Sequence, residues 1–173
     1  MLVTGASGGV GLAAAQLAKK CRGVQKVIAV CSISKADQVK EMGADVVLDQ
    51  NDNLLEKLGA DSVTLVVDLV GGKSWPTLLD MLKRKGRYAT TGAIGGPLVE
   101  LDLRTLYLKD LTLMGCTALD EGVFSCLVAL INAGKVKPVV AETCPLEQIG
   151  RAQESFMKKK HVGKLVLVPP EVA

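Results

Sequence analysis

The chain opens with a short apolar strand that leads straight into a glycine-rich turn, between Met1 and Gly11. Glycine lets a backbone come close to an anion, and the helix after such a turn presents free N–H groups and the positive end of its dipole. Ala6 stands at a position that is glycine in the usual G-x-G-x-x-G pattern. The turn is either a pyrophosphate cradle or an ordinary strand-to-helix corner. The candidate pyrophosphate-binding residues are Ala6, Ser7, Gly8, Gly9, Val10 and Gly11.

Strand and helix signals alternate after this turn, which is typical of a parallel sheet with crossover helices. The sequence is 49% hydrophobic but only 3% aromatic, and such aliphatic cores suit sheets that are buried on both faces. We therefore predict an α/β fold: a doubly wound parallel sheet of the Rossmann type in a three-layer αβα arrangement. Strands are predicted at residues 2–4, 27–30, 46–48, 63–69, 86–91 and 111–114.

Three local patterns add to this outline. The first helix is predicted to bury Val10, Ala14, Leu17, Ala18 and Cys21. An alternating run at residues 98–103 predicts a short strand near the sheet edge. Beyond residue 137, a strand at 139–140, a helix at 147–158 and a strand at 165–168 are predicted to fall outside the βα alternation.

The net charge of +3 is too small and too dispersed to indicate a nucleic-acid partner. The basic run at residues 158–161 is interpreted as a solvated helix end. No window reaches the roughly 18 apolar residues of a membrane span, and no charged segment precedes a cleavable apolar one. A soluble, cytoplasmic protein is therefore expected.

The five cysteines are dispersed, and no C-x-x-C pair occurs. Zinc sites use closely spaced ligand pairs, so we predict no metal site and expect no stoichiometric zinc. Four of the five cysteines fall in or at the end of predicted elements and are interpreted as small buried residues in a reducing compartment. His161, the single histidine, is predicted to be exposed in a loop rather than catalytic.

The residues after the second strand bear on which nucleotide the turn would hold. In dinucleotide-binding folds, an Asp or Glu about 20 residues past the glycines accepts hydrogen bonds from the adenosine ribose. Here Ser32, Ser34 and Lys35 offer two hydroxyls and an ammonium group instead. Because these groups can donate to a 2′-phosphate that a carboxylate would repel, NADPH is favoured over NADH. The alternative is an ordinary surface loop whose serine caps the next helix.

Ligands of open α/β sheets lie beyond the carboxyl ends of the strands. Residues 68–72 after the fourth strand and 90–94 after the fifth are rich in small side chains that would let a flat ring pass. The backbone groups predicted to line the ribose and the nicotinamide belong to Val70, Gly92, Ala93 and Ile94. Alternatively, Asp68 only caps the turn and the glycines only permit it.

The opening turn also satisfies the T-G-x-x-x-G-x-G pattern of short-chain dehydrogenases. That family needs a Tyr-x-x-x-Lys pair, because the lysine lowers the pKa of the catalytic tyrosine. Here the residue four positions after Tyr88 is Gly92, and the one after Tyr107 is Leu111. The chain therefore lacks the chemistry of that family.

The chain more closely resembles the medium-chain dehydrogenase/reductase superfamily (zinc-type alcohol dehydrogenase-like), and within it the zinc-free, quinone-oxidoreductase-like branch. The resembling segments keep the family's order and span nearly the whole chain: residues 3–11, 29–32, 42–45, 67–72, 86–88, 106–115 and 163–167. This resemblance implies an NADPH-dependent oxidoreductase that transfers a hydride to a quinone, an enone or a carbonyl acceptor.

Proteins of this superfamily look like two-domain enzymes whose N-terminal barrel-like domain supplies the substrate pocket. The resemblance implies that residues 1–136 form an NADP(H)-binding Rossmann domain and that residues 137–173 return to a catalytic domain this chain lacks. The chain is therefore expected to be an incomplete, inactive fragment with no catalytic residue of its own, and to pair as a homodimer through a sheet edge. The alternatives are a non-catalytic NADPH-binding regulatory module and a dimerisation module.

Overall fold

A computed structural model describes residues 1–117 and 120–170 of the chain. Its main sheet consists of β1 (Leu2–Thr4), β2 (Ile28–Cys31), β3 (Val46–Asp49), β4 (Val63–Asp68), β5 (Leu82–Thr90) and β6 (Thr112–Gly115). All five pairings are parallel, in the order β3-β2-β1-β4-β5-β6. The direction of winding reverses between β1 and β4, so this is the predicted doubly wound sheet of the Rossmann type.

In the described part of the chain, six helices pack around this sheet. They are α1 (Gly9–Gln16), α2 (Ala36–Glu41), α3 (Leu54–Leu58), α4 (Trp75–Met81), α5 (Leu103–Leu108) and α6 (Val123–Asn132). Local side chains stabilise the N-terminal ends of several of them. Asn53 caps α3 by accepting a hydrogen bond from the Glu56 amide, and Pro76 lies in the first turn of α4. A π-helical turn, Leu17–Cys21, extends α1, and the 3-10 turn Ile33–Lys35 precedes α2.

The core has two halves, one on each face of the sheet. Neighbouring residues of β1 point to opposite sides, so Leu2 belongs to a cluster with Val66 and Leu78, whereas Val3 packs with Leu12. Each cluster joins the strands to the helices of its own side. This arrangement confirms the three-layer prediction.

The buried face of α1 differs from the prediction. Val10 is 51% exposed, whereas Leu12 and Ala15 are buried. Gly11 lies so close to Ala6 that a Cβ on it would be 2.6 Å from the Ala6 Cα. This close approach fixes the rotation of the helix about its axis, and apolar spacing alone does not reveal it.

The predicted strand at residues 98–103 is wrong. Residues 98–102 are irregular, and Leu98 is 92% exposed, so this alternating run has no sheet face to cover. Asp102 accepts a hydrogen bond from the Arg104 amide and starts α5 at Leu103 instead. The cap therefore outweighs the alternating pattern.

The C-terminal segment forms a βαβ unit of its own from β7 (Val140–Pro145), α7 (Ile149–Met157) and β8 (Lys164–Val168). β7 and β8 pair in parallel in a separate two-stranded sheet, so the alternation continues here, contrary to expectation. The segment packs on the main unit. Val162 is buried in the cluster that contains Leu12, and the Gln16 side chain bonds both backbone groups of Lys137, at 2.8 and 3.0 Å.

Two interpretations of single residue types need correction. Cys31 is buried as expected, but Cys116 and Cys126 are exposed, and Cys144 is buried although it lies outside the predicted elements. His161 is partly buried rather than exposed, with its ring centroid 5.3 Å from that of Phe156. Within the described residues, no helix is both long and apolar enough to cross a membrane.

Candidate dinucleotide site

The glycine turn after β1 leaves the start of α1 open to an anion. The Ala6 amide donates to Val30 O at 3.2 Å, which ties the turn to β2, and Gly8 is exposed at the N-cap. The first amides of a helix have no preceding turn to bond, and no side chain caps α1. The N–H groups of Gly9, Val10 and Gly11 therefore point to the space above the turn, where the helix dipole also favours negative charge.

Gly11 is the position that a side chain would disturb most directly. A Cβ there would lie 2.6 Å from both the Ala6 Cα and the Gly5 carbonyl oxygen. Both contacts are backbone atoms, which cannot rotate away as a flexible side chain would. Glycine at this position is therefore required for α1 to sit against β1.

The loop after β2 contains the three residues predicted to select the nucleotide, of which the structure brings the two serine hydroxyls together. The hydroxyl oxygens of Ser32 and Ser34 are 3.0 Å apart, and the Lys35 ammonium donates to the Lys159 carbonyl at 2.7 Å. Asp49 at the end of β3 supports this loop, accepting the Ile33 amide at 2.9 Å. Hydrogen bonds from the backbone amides of Asn51 and Ile33 hold the pKa of Asp49 below its ordinary value, so this carboxylate is charged and already engaged.

A buried polar cluster fixes the ends of β1, β4 and β5, where the cofactor would cross the sheet. Asp68 is fully buried and accepts hydrogen bonds from the hydroxyls of Thr4 and Tyr88. The same carboxylate also accepts the amides of Val70 and Gly71, at 3.0 and 3.1 Å. Burial, and next the Asp68 carboxylate, raise the pKa of the Tyr88 hydroxyl. Asp68 therefore does cap the turn, and it also joins three strands.

The segments after β4 and β5, which the sequence predicts to line the nicotinamide, lie against each other. Val70 O accepts the Gly95 amide at 2.7 Å. A Cβ on Gly92 would lie 2.5 Å from Leu69 O, whereas Ile94 is 78% exposed and Ala93 is also exposed. Since the Val70 amide donates to Asp68 and the Val70 carbonyl accepts the Gly95 amide, the surface that Val70 offers to a ligand is its side chain rather than the predicted backbone groups.

Sequence reasoning assigned no role to Gly163 and Lys164, which reach the glycine turn from the C-terminal segment. The Gly163 amide donates to Ser7 O at 3.0 Å. A Cβ on Gly9 would lie 2.2 Å from Lys164 Cε, so the lysine side chain passes directly over the turn. The Gly-Lys pair falls in one of the family-like segments, but sequence alone does not place it against a turn at the other end of the chain.

Among the described residues, no three His, Cys, Asp or Glu side chains lie close enough together to hold a metal ion. Around the glycine turn, the carboxyl edge of the sheet presents the hydroxyls of Ser32 and Ser34 and an ammonium group, whereas the carboxylates of Asp49 and Asp68 are already bonded to backbone amides. This set suits a phosphate-bearing ligand better than a metal ion.

The family of zinc-binding dehydrogenases matches residues 9–133. The chain belongs to this family. It thereby falls in the medium-chain dehydrogenase/reductase superfamily, as the glycine turn and the later segments predict. The matched range covers the helices and strands from α1 to α6, which contain the candidate site apart from the start of the glycine turn and the contacts of Gly163 and Lys164.

Similar proteins support the same placement. The chain is 34% identical to an acryloyl-coenzyme A reductase of Sulfurisphaera tokodaii, over 98% of its own length and 50% of that protein. A crystal structure of a putative alcohol dehydrogenase from Sinorhizobium meliloti superposes with a TM-score of 0.89 at 43% identity, covering 98% of this chain and 48% of the other. A mycobacterial protein solved in complex with NADPH matches with a TM-score of 0.79 at 30% identity, covering 97% and 56%. The chain thus spans about half the length of the curated relatives it matches.

Proposed function

We propose that the chain is the NADPH-binding half of an oxidoreductase that transfers a hydride from nicotinamide to a quinone, an enone or a carbonyl acceptor. One observation carries the proposal: the open N-terminus of α1 lies at the same edge of the sheet as a loop that holds two hydroxyls and an ammonium group. An anion site and a cationic loop at one edge match the two separate phosphate groups of NADPH, the pyrophosphate and the 2′-phosphate.

Each part of the cofactor has a proposed set of partners. The residues from Ala6 to Gly11 hold the pyrophosphate, with the α1 amides as donors and Lys164 adding a positive charge above Gly9. Ser32, Ser34 and Lys35 bind the 2′-phosphate. Val70 and the segment Gly92 to Ile94 line the ribose and the nicotinamide.

The acceptor class rests on the chemistry that the relatives' names describe. An acryloyl thioester, which the Sulfurisphaera protein is named for reducing, has a carbon–carbon double bond conjugated to a carbonyl. Such electron-poor bonds accept a hydride, and so do quinones and enones. A flat acceptor of this kind would stack against the nicotinamide at the carboxyl edge of the sheet, where the segments after β4 and β5 are rich in small residues.

Replacing Lys35 by alanine tests the choice of nucleotide. We expect the advantage of NADPH over NADH to shrink by about 1.5 to 3 kcal/mol, the range for hydrogen bonds to charged groups. Isothermal titration calorimetry of both nucleotides measures the difference. The matched control is Lys83→Ala, because Lys83 is exposed near the start of β5, at the opposite edge of the sheet. An unchanged difference in Lys35→Ala would remove Lys35 from the proposed site.

We expect the isolated chain to bind NADPH without oxidising it. Hydride transfer needs an acceptor held close to the nicotinamide and groups that stabilise the developing oxyanion. The acid and the phenol at the ends of β4 and β5, Asp68 and Tyr88, are buried and bonded to each other, so neither is free to move a proton. NADPH absorbance with a panel of quinones and enones should fall at the uncatalysed rate. Turnover of ~1 per second, an ordinary enzymatic value, would show that the active site lies within this chain.

A homodimer in the cytoplasm is the proposed assembly, formed through the free edge of β6. β6 ends the order of the main sheet, and Thr112 and Met114 on it are exposed. An exposed strand edge offers unpaired backbone groups to a second copy. Light scattering at several protein concentrations should give twice the mass of the chain, whereas a monomer mass at every concentration would exclude this pairing.

A further inference from the structure

The C-terminal segment contacts the loop after β2 through the side chain of Lys35. Lys35 donates its ammonium hydrogen to the carbonyl oxygen of Lys159 at 2.7 Å, across a separation of 124 residues. Nothing in the sequence pattern links these residues, and the lysine run at 158–160 is otherwise explained as a solvated helix end. The contact instead places Lys159, two residues after the end of α7, next to Lys35, the residue proposed to select NADPH.

The Lys159 carbonyl is held in place by an unusual backbone conformation. Lys159 has a φ of 51°, in the left-handed region that side chains other than glycine rarely adopt. Its amide donates to Phe156 O at 3.0 Å, which closes the turn at the end of α7. On the far side of the turn, the His161 ring lies against that of Phe156, and Val162 is buried in the core. The turn is thus anchored at both ends.

We propose that the Lys159 carbonyl is a positioning group for nucleotide selection, which holds the Lys35 ammonium ready to meet the 2′-phosphate of NADPH. This inference rests on the proposed function. An ammonium group has three N–H donors, and the carbonyl uses one, so two remain for phosphate oxygens. A free lysine loses much rotamer freedom when it binds a ligand, whereas a lysine already fixed loses less. The C-terminal segment therefore contributes to cofactor choice without touching the cofactor at Lys159.

Two substitutions at one position separate the carbonyl from the side chain. Lys159→Pro forbids a positive φ and removes the amide hydrogen that closes the turn, so it displaces the carbonyl. Lys159→Gly removes the side-chain charge but favours the same backbone conformation. We expect the ratio of NADPH to NADH affinity to fall about five- to tenfold in Lys159→Pro and less than about twofold in Lys159→Gly. NADH affinity in each variant reports whether the glycine turn itself is intact.

The outcomes distinguish this inference from the proposed function. If the unsubstituted chain does not prefer NADPH, the proposed function fails. Suppose instead that the unsubstituted chain prefers NADPH and that Lys35→Ala abolishes this preference. If Lys159→Pro then leaves the preference intact, only the positioning role of the Lys159 carbonyl is overturned. Equal losses in Lys159→Gly and Lys159→Pro would also overturn it, because the effect would then belong to the Lys159 ammonium group.

A crystal structure of the unsubstituted chain with adenosine 2′,5′-bisphosphate decides the matter even if Lys159→Pro fails to fold. We expect the Lys35 ammonium to contact both the Lys159 carbonyl and the 2′-phosphate. A Lys35 side chain that leaves Lys159 to reach the phosphate, or that does not reach the phosphate at all, would contradict the proposal.

Discussion

Replacing Asp68 by alanine is expected to destabilise the fold by about 3 to 5 kcal/mol, since each buried polar group left without a partner costs about 1 to 3 kcal/mol. Asp68 is fully buried, and its carboxylate accepts the hydroxyls of Thr4 and Tyr88 and the amides of Val70 and Gly71. Removing it leaves these donors facing an empty space between three strands. The free energy of unfolding in urea, followed by the fluorescence of the single tryptophan, measures the loss.

Two matched variants define the source of this effect. Tyr88→Phe removes one donor and leaves Asp68 with the other three, so a smaller loss of about 1 to 2 kcal/mol is expected. Asp80→Ala removes an exposed carboxylate and should stay within about 0.5 kcal/mol of the unsubstituted chain. If Asp68→Ala were as stable as Asp80→Ala, the buried cluster would not be what joins β1, β4 and β5.

Gly11→Ala is expected to weaken NADPH binding by about 100-fold, the equivalent of losing two charge-assisted hydrogen bonds at the weak end of their range. The added Cβ would lie 2.6 Å from the Ala6 Cα and from Gly5 O, so α1 must move away from β1. That movement withdraws the amides of Gly9, Val10 and Gly11 from the pyrophosphate. Calorimetric titration with NADPH measures the change in affinity.

Gly150→Ala is the control for this substitution. Gly150 lies in α7, and a Cβ there would meet no atom within 4 Å. Alanine is a better helix former than glycine, so this variant should fold at least as well and bind NADPH unchanged. Unaltered NADPH affinity in Gly11→Ala would show that the turn does not hold the pyrophosphate.

The sequence predicts the main sheet well because its strands are short aliphatic runs separated by glycine-rich turns. All six strands overlap their predicted bounds. The start of β5 is less accurate, at Leu82 rather than residue 86, because Lys85 has a positive φ of 62° and the register with β4 shifts between Val63 and Leu65. Local propensity does not reveal such an irregularity.

The sequence likewise predicts one part of the candidate site and not another. Its turns and loops were predictable because each follows a strand of a parallel sheet, and carboxyl ends of parallel strands meet at one edge. The contacts that Lys159 and Lys164 make with this edge were not, because each joins residues from opposite ends of the chain. The partial burial of His161 was not predicted either, because its ring lies against that of Phe156 within the fold of the C-terminal segment.

The most direct test of the account is a calorimetric titration of the unsubstituted chain with NADPH and NADH under identical salt conditions. The open N-terminus of α1 and the loop with Ser32, Ser34 and Lys35 predict one binding site per chain and a clear preference for NADPH. Competition by adenosine 2′,5′-bisphosphate but not by adenosine 5′-monophosphate would place that preference at the 2′-phosphate. Equal affinity for both nucleotides, or no binding of either, would contradict the account.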